Sequence, residues 1–434
     1  MRRTAFAAAV LGLASLCLAP YHADAAMQQL NPLPRGGSYV LDPDPGVGTA
    51  AIGLWFRAPG AGYDNATPGL ANLAATAAAV APLASGRSLY ALVHTVGGQL
   101  NIEVYPDIVG IAAIVPASAS RRIVAAMTAA YFAPAVDDTA VKTARANAAV
   151  LGVQQRYESD TTLHDLLFGQ IFANGPEHYP PLPTSVSQLT SISTAQVSDF
   201  AKRAFRAENG VLTLTGNVDA SSVAAVTDGP GGGSMDRPFD STLAPTPASA
   251  TSTGSVDGVG LAWIGPPIAD EKAATALDFI ADYLFREQTG VVTKALDKAQ
   301  SDALVVGQFI TLHDPGVMLV TIGGDHEKQA EQHVLEALSA LQQPMDRQTF
   351  ESAREAFLYH VAADTQTPQE RADNLGWYSV EGNLDYAPGI GSGSYERAAR
   401  ELDPQYVADI VRRYLGKPVV VDLVATTPQK ESTP

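Results

Sequence analysis

The chain of 434 residues carries 45 acidic and 28 basic side chains, a net charge of −17, and one cysteine, Cys17. So acidic a surface repels phosphate backbones, which argues against nucleic acid as a partner. A lone cysteine excludes disulfides and thiolate metal sites, so the fold must rest on its apolar cores.

Arg2 and Arg3 precede an apolar stretch, residues 5–19, and then the small residues Ala23, Asp24 and Ala25. This is the layout of a signal peptide, expected over residues 1–25, and it makes the product exported, either periplasmic or secreted. The apolar stretch falls short of the roughly 20 residues a permanent span needs, and no later stretch reaches that length. Cys17 leaves with the signal.

From there the predicted elements run twice through one plan. In the first half, residues 49–56 read as a strand and 68–81 as a helix. A strand pair follows at 100–104 and 108–115, with a helix at 119–132. A long helix begins after Pro134, and a helix at 195–205 leads into a strand at 211–215. Residues 228–258, rich in Gly, Ser, Pro and Thr, bury too little to order themselves and read as a linker. The second half repeats the series: strand 259–264, helix 270–286, strands 303–311 and 316–322, helix 327–341, and a long helix after Pro344. A helix at 404–414 and a strand at 419–424 close it. The implied architecture is α+β, with two tandem lobes at 26–227 and 259–434. Each is an antiparallel sheet with helices packed on one face.

Several local motifs sit in this frame. They are Gly36-Gly37-Ser38-Tyr39-Val40 at the first strand, Pro68-Gly69-Leu70-Ala71 before the first helix, and Gly97-Gly98-Gln99-Leu100 at the next strand. His178-Tyr179-Pro180 and Ile192-Ser193-Thr194 precede the lobe's last helix, and Gly216-Asn217-Val218-Asp219 closes the lobe. In order and spacing the chain resembles the insulinase/pitrilysin zinc peptidases, which include the mitochondrial processing peptidase subunits, over about residues 36 to 428. The resemblance implies an inverted H-x-x-E-H motif on the helix after Gly-Leu-Ala, where two imidazoles one turn apart share a zinc ion. The intervening Glu takes a proton from the metal-bound water.

Those chemical groups are missing. The matching positions hold Asn72, Ala75 and Thr76, and the later Glu would fall near residues 150–152, where 147–155 contains no acid. Amide and hydroxyl oxygens are poor zinc ligands beside imidazole, and a methyl group accepts no proton. The resemblance also implies an Arg and a Tyr seven residues apart in the second lobe, donors for the tetrahedral intermediate. The matching positions are Asp297 and Leu304. Lys298 or Arg286 would replace the Arg only after a shift of the alignment. Neither catalytic residues nor a cofactor are therefore expected in this chain; zinc is expected only in an active partner.

The remaining motifs point elsewhere than to chemistry. His326 and His333 lie seven apart, about 10 Å along a helix, too far for one metal. No G-x-S-x-G elbow occurs, and Gly231-Gly232-Gly233 and residues 389–394 lack the Lys of a phosphate loop. Trp55, Trp263 and Trp377 are expected to fill sheet–helix interfaces. The first expectation for function is a zinc-free subunit that completes the substrate chamber of a homologous zinc peptidase, as a heterodimer. The rival is a self-paired scaffold that binds extended peptides without hydrolysis, since strand addition needs only backbone hydrogen bonds. A third is a metalloendopeptidase with an unconventional site.

Overall fold

A computed structural model of the protein describes residues 28–34, 36–57, 67, 69–105, 107–155, 159–172, 186–227, 249–254, 256–324 and 326–425. At 151–155, 159 and 186–188 it describes backbone only. The expected signal peptide, the His178-Tyr179-Pro180 motif and residues 228–248 of the expected linker lie outside the described residues.

The first lobe runs β1 (Asn31–Pro32), β2 (Ser38–Pro43), β3 (Thr49–Arg57), α1 (Leu70–Val80), α2 (Leu89–Thr95), β4 (Gln99–Val104) and β5 (Ile108–Pro116). It continues through α3 (Ser120–Phe132), α4 (Asp138–Gln155), α5 (Ser159–Ile171), α6 (Val186–Ser191), α7 (Thr194–Ala204), β6 (Gly210–Gly216) and α8 (Ala220–Val223). The second runs β7 (Ser249–Gly254), β8 (Gly258–Ile264), α9 (Glu271–Phe285), α10 (Val291–Ala299), β9 (Leu304–Ile310) and β10 (Val317–Gly323). It ends with α11 (Glu327–Ala340), α12 (Arg347–Ala363), α13 (Pro368–Glu381), α14 (Ser394–Arg400), α15 (Pro404–Tyr414) and β11 (Val419–Ala425).

The duplication is complete at the level of topology. The first sheet has the order β1-β2-β6-β3-β5-β4 and the second β7-β11-β8-β10-β9, so β2 to β6 map one for one onto β7 to β11. Most neighbours are antiparallel; β2 with β6 and β7 with β11 are the parallel pairs. The caps repeat too. The carboxylates of Asp137 and Asp346 each accept from a backbone N–H three residues on, starting α4 and α12.

One boundary differs from the sequence reading. Residues 249–254, placed in the 228–258 linker, form β7, the parallel edge strand of the second sheet. Its composition, Ser-Ala-Thr-Ser-Thr-Gly, buries little. An edge strand gains its backbone pairing from one neighbour and needs only a half-buried Ala250 against the core. The strand read as the lobe's first, at 259–264, is its second.

Each lobe's own helices do lie on one face of its sheet. In the first lobe, alternate residues Ile52, Leu54 and Phe56 of β3 join α1, α3 and α7 in one core; in the second, Val259, Leu261 and Trp263 of β8 join α9 and α11. The opposite faces are covered by exchange. Helix α5 of the first lobe lays Leu163, Leu167, Phe168 and Ile171, with Phe172 just after it, on Ala262, Leu319 and Val421 of the second sheet. Helix α13 of the second lobe lays Leu375 and Val380 on Val40, Trp55 and Val211 of the first. This explains why β3 and β8 are buried along nearly their whole length and read as apolar runs rather than strict alternations. Two glycines permit the close approach. A Cβ on Gly260 of β8 would stand 2.8 Å from Leu167 of α5, and one on Gly376 of α13 would collide with the Trp55 indole.

Candidate functional site

Helix α1 begins after Gly69, whose φ of 83° is the left-handed conformation that glycine tolerates. Eight of its eleven residues are buried, and what they leave is a half-buried stripe of Asn72, Thr76 and Val80 at four-residue steps. The structure thus puts Asn72 and Thr76 on one helical face, as a shared ligand pair would require, but the donors are an amide and a hydroxyl. Ala75 is 0% exposed, and its carbonyl accepts a hydrogen bond from the buried Tyr131 hydroxyl at 3.0 Å. Burial raises the Tyr131 phenol well above its ordinary value, so it stays a donor.

Helix α1 packs along α4. There Val150, in the region expected to have supplied a third ligand, is an exposed apolar side chain. Among the described residues no three His, Cys, Asp or Glu converge as a metal would need. The donor set at Asn72, Ala75 and Thr76, an amide, a methyl group and a hydroxyl, does not fit zinc.

Asp297 and Leu304 are separated by a change of element. Asp297 is exposed near the end of α10, the chain turns through Gln300 at φ 53°, and Leu304 opens β9 at 67% exposure. Arg286, the alternative cation, is committed to a two-point ion pair with Asp364 at 2.5 and 2.8 Å. His326 caps α11, while His333 approaches Glu336 at 3.9 Å one turn further on. The structure does not bring them to one site.

Among the described residues, strand β4 ends the first sheet, paired with β5 on one side only. Leu100, Ile102 and Val104 pack toward the helical core, so Gln99, Asn101 and Glu103 face the other way and are exposed. Beyond the strand, Tyr105 meets the Trp377 ring of α13 edge to face at 4.7 Å and the His164 ring of α5 at 6.3 Å. Trp377 in turn meets Trp55 at 6.3 Å and donates to the Thr311 carbonyl at 2.6 Å. One turn before Trp377, the Asp373 carboxyl is pushed up to about 7, first by burial and then by the charge of Glu103.

The sequence reading placed Trp377 and Trp55 in sheet–helix interfaces but missed Glu103, Tyr105 and Asp373. A trace of them was present: Gln369, Asp373 and Trp377 repeat at helical spacing while Glu103 and Tyr105 repeat at strand spacing. Nothing local says that the two rows meet.

What these features define is a duplicated α+β chain with exchanged helices and an open sheet edge beside a helix empty of metal-binding side chains. Residues 191–357 match the family model described as the peptidase M16 inactive domain. No curated protein sequence matches the chain. Among solved structures, a protease from Helicobacter pylori superposes with a TM-score of 0.76 at 13% identity, covering 92% of this chain and 99% of that one. A peptidase M16 inactive domain from Pseudomonas fluorescens gives 0.72 at 16% identity, covering 93% and 99%. A chain of complex III2 from Candida albicans gives 0.70 at 12%, covering 91% and 94%. The chain thus shares its fold with these structures and, over residues 191–357, matches the M16 inactive-domain model.

Proposed function

We propose that the protein is an exported, non-catalytic peptidase homologue that forms half of a substrate chamber with a zinc-bearing partner chain. The observation that carries this is the contrast between fold and site. The family's two-lobed frame is kept over nine-tenths of the chain, while the zinc helix holds Asn72, Ala75 and Thr76, with the Ala75 position closed over. A chain kept only for hydrolysis has no use for the frame without the ligands. A chain that shapes a chamber and presents a strand edge does. The open edge of β4 supports peptide binding by strand addition, in which affinity comes from main-chain hydrogen bonds. Export rests on the sequence pattern of residues 1–25.

The test is co-expression with a homologous chain that carries an intact H-x-x-E-H. Co-purification as a heterodimer whose peptide turnover exceeds that of the zinc chain alone supports the reading. A zinc chain that is monomeric and equally active by itself overturns it. Homodimers that bind extended peptides without cleaving them would favour the scaffold reading instead.

A further inference from the structure

We propose that β9, the open edge of the second sheet, is a self-association surface on which two copies of this chain pair antiparallel about a twofold axis at Val305. The second sheet then runs on from one copy into the next. This contact goes beyond the chamber reading, because it involves neither α1 nor β4. Its starting point is Leu304, at a position where the resemblance implied a tyrosine. There the chain has a large apolar side chain that is 67% exposed.

Alternate residues of β9 have opposite surroundings. Val305 and Phe309 join the helical core, and a Cβ on Gly307 would stand 2.1 Å from the Phe285 ring of α9. Leu304, Val306 and Gln308 therefore point to the other face. On that face α5 lies over β8, β10 and β11. Past it, Val306 is 37% exposed and Gln308 is exposed as well. Among the described residues β9 pairs with β10 alone, so its outer row of backbone N–H and C=O groups is open.

The four sheet edges differ in what they present. Strand β1 is two residues long and ends in Pro32, β4 carries Glu103 on its exposed face, and β7 is built of Ser, Ala, Thr and Gly. Such features keep an edge from pairing or leave it little apolar surface to bury. Strand β9 has none of them. Its sequence Leu-Val-Val-Gly-Gln-Phe-Ile holds no charge and no proline, and the uncharged run extends over residues 303–312. Two copies of a chain with net charge −17 repel over most of their surface, and an uncharged apolar edge is where they can meet.

The edge is also self-complementary. With the axis at Val305, Leu304 of each copy lies opposite Val306 of the other, and Asp302 lies opposite Gln308. The four exposed apolar side chains then cover one another, and each carboxylate gains an amide donor. An axis at Leu304 would set Asp302 against Val306, and an axis at Val306 would set Leu304 against Gln308. Both neighbouring registers oppose a polar group to an apolar one. An extended apolar peptide could use the same backbone groups, but it leaves Asp302 and Gln308 unmatched; a second copy matches both.

One strand per copy is a small contact, so the dimer should be weak, with a Kd on the order of micromolar. Sedimentation velocity of the purified chain, in a Cys17→Ser background, should show a monomer–dimer equilibrium in that range. Val306→Lys adds a charge at an already exposed position and should raise Kd by about tenfold or more. Tyr359→Lys, at an exposed position on α12, should leave Kd unchanged. The register is read from thiols: an equimolar mixture of Leu304→Cys and Val306→Cys chains should cross-link under mild oxidation faster than either variant alone. A chain that stays monomeric well above micromolar concentration, or a dimer indifferent to Val306→Lys, overturns the proposal. Equal cross-linking rates in the mixture and the single variants overturn the axis at Val305. A monomer that binds a fluorescein-labelled Val/Thr decapeptide, and loses it on Val306→Lys, assigns the edge to peptide and overturns the second copy as its occupant. If circular dichroism shows that Val306→Lys does not fold, Gln308→Lys takes its place. Val306→Lys should still co-purify with a chain bearing H-x-x-E-H, so loss of self-association and loss of the chamber partner are separately visible.

Discussion

Replacement of Asp278 by Asn should stabilise the protein at neutral pH and leave it almost unchanged in acid. Asp278 lies on the inward row of α9, where burial pushes its carboxyl up to about 7; a hydrogen bond from the Tyr395 hydroxyl at 2.8 Å opposes the rise and the charge of Asp282 adds to it. Asp282, one turn on, is held by His360 Nδ1 at 2.9 Å. The native state therefore binds the Asp278 proton more tightly than the unfolded chain, whose carboxyl has the ordinary value of 3.8. Stability is then greatest below about pH 4, falls as pH rises, and levels off above about pH 7, the loss being on the order of 4 kcal/mol. Asn keeps an acceptor for Tyr395 and cannot ionise, so it removes that loss. Urea midpoints followed by circular dichroism between pH 4.5 and 8 would measure the wild-type minus variant difference, cancelling the slope from other carboxyls. Parallel curves for the two proteins across that range would refute the reasoning.

Two further substitutions test the packing that frames the site. Ala75→Glu, which supplies the carboxylate of the inverted H-x-x-E-H motif by itself, should cost about 3 kcal/mol or more, because the side chain enters a fully buried position without a partner. A melting temperature within a degree of wild type would show that the position is open. Gly376→Ala places a methyl group where the Trp55 ring lies. It should destabilise by about 1–3 kcal/mol and shift tryptophan emission, whereas an unchanged spectrum would contradict the packing.

The sequence made most of the fold legible because its strongest signals are local. The helix read at 270–286 is α9 with its caps included: Asp270 accepts from the Ala273 N–H and Arg286 closes the last turn. The vacant motif on α1 was equally plain, since it needs only residue identities. What stayed hidden depends on partners distant in sequence. Helices α5 and α13 each complete the other lobe's sheet, and no periodicity within α5 names the strand it will cover. Strand β7 was hidden for a related reason: its Ser- and Thr-rich run is shaped by pairing with β11, some 170 residues away.

The exchange of helices also explains how the frame holds together independently of the α1 positions. Four apolar side chains of α5 and Phe172 just after it, each at most 1% exposed, are buried on the second sheet. At roughly 1.5–3 kcal/mol apiece that is on the order of 10 kcal/mol, comparable to the whole stability of an ordinary domain. Neither lobe can withdraw from the other without exposing that surface, so the two halves should unfold as one unit. None of this binding energy passes through Asn72, Ala75 or Thr76. What those three positions carry therefore leaves the exchanged core, the two sheets and the edge strand β4 untouched. Scaffold and α1 side chains are physically separate, so the shape does not depend on which residues stand at those positions.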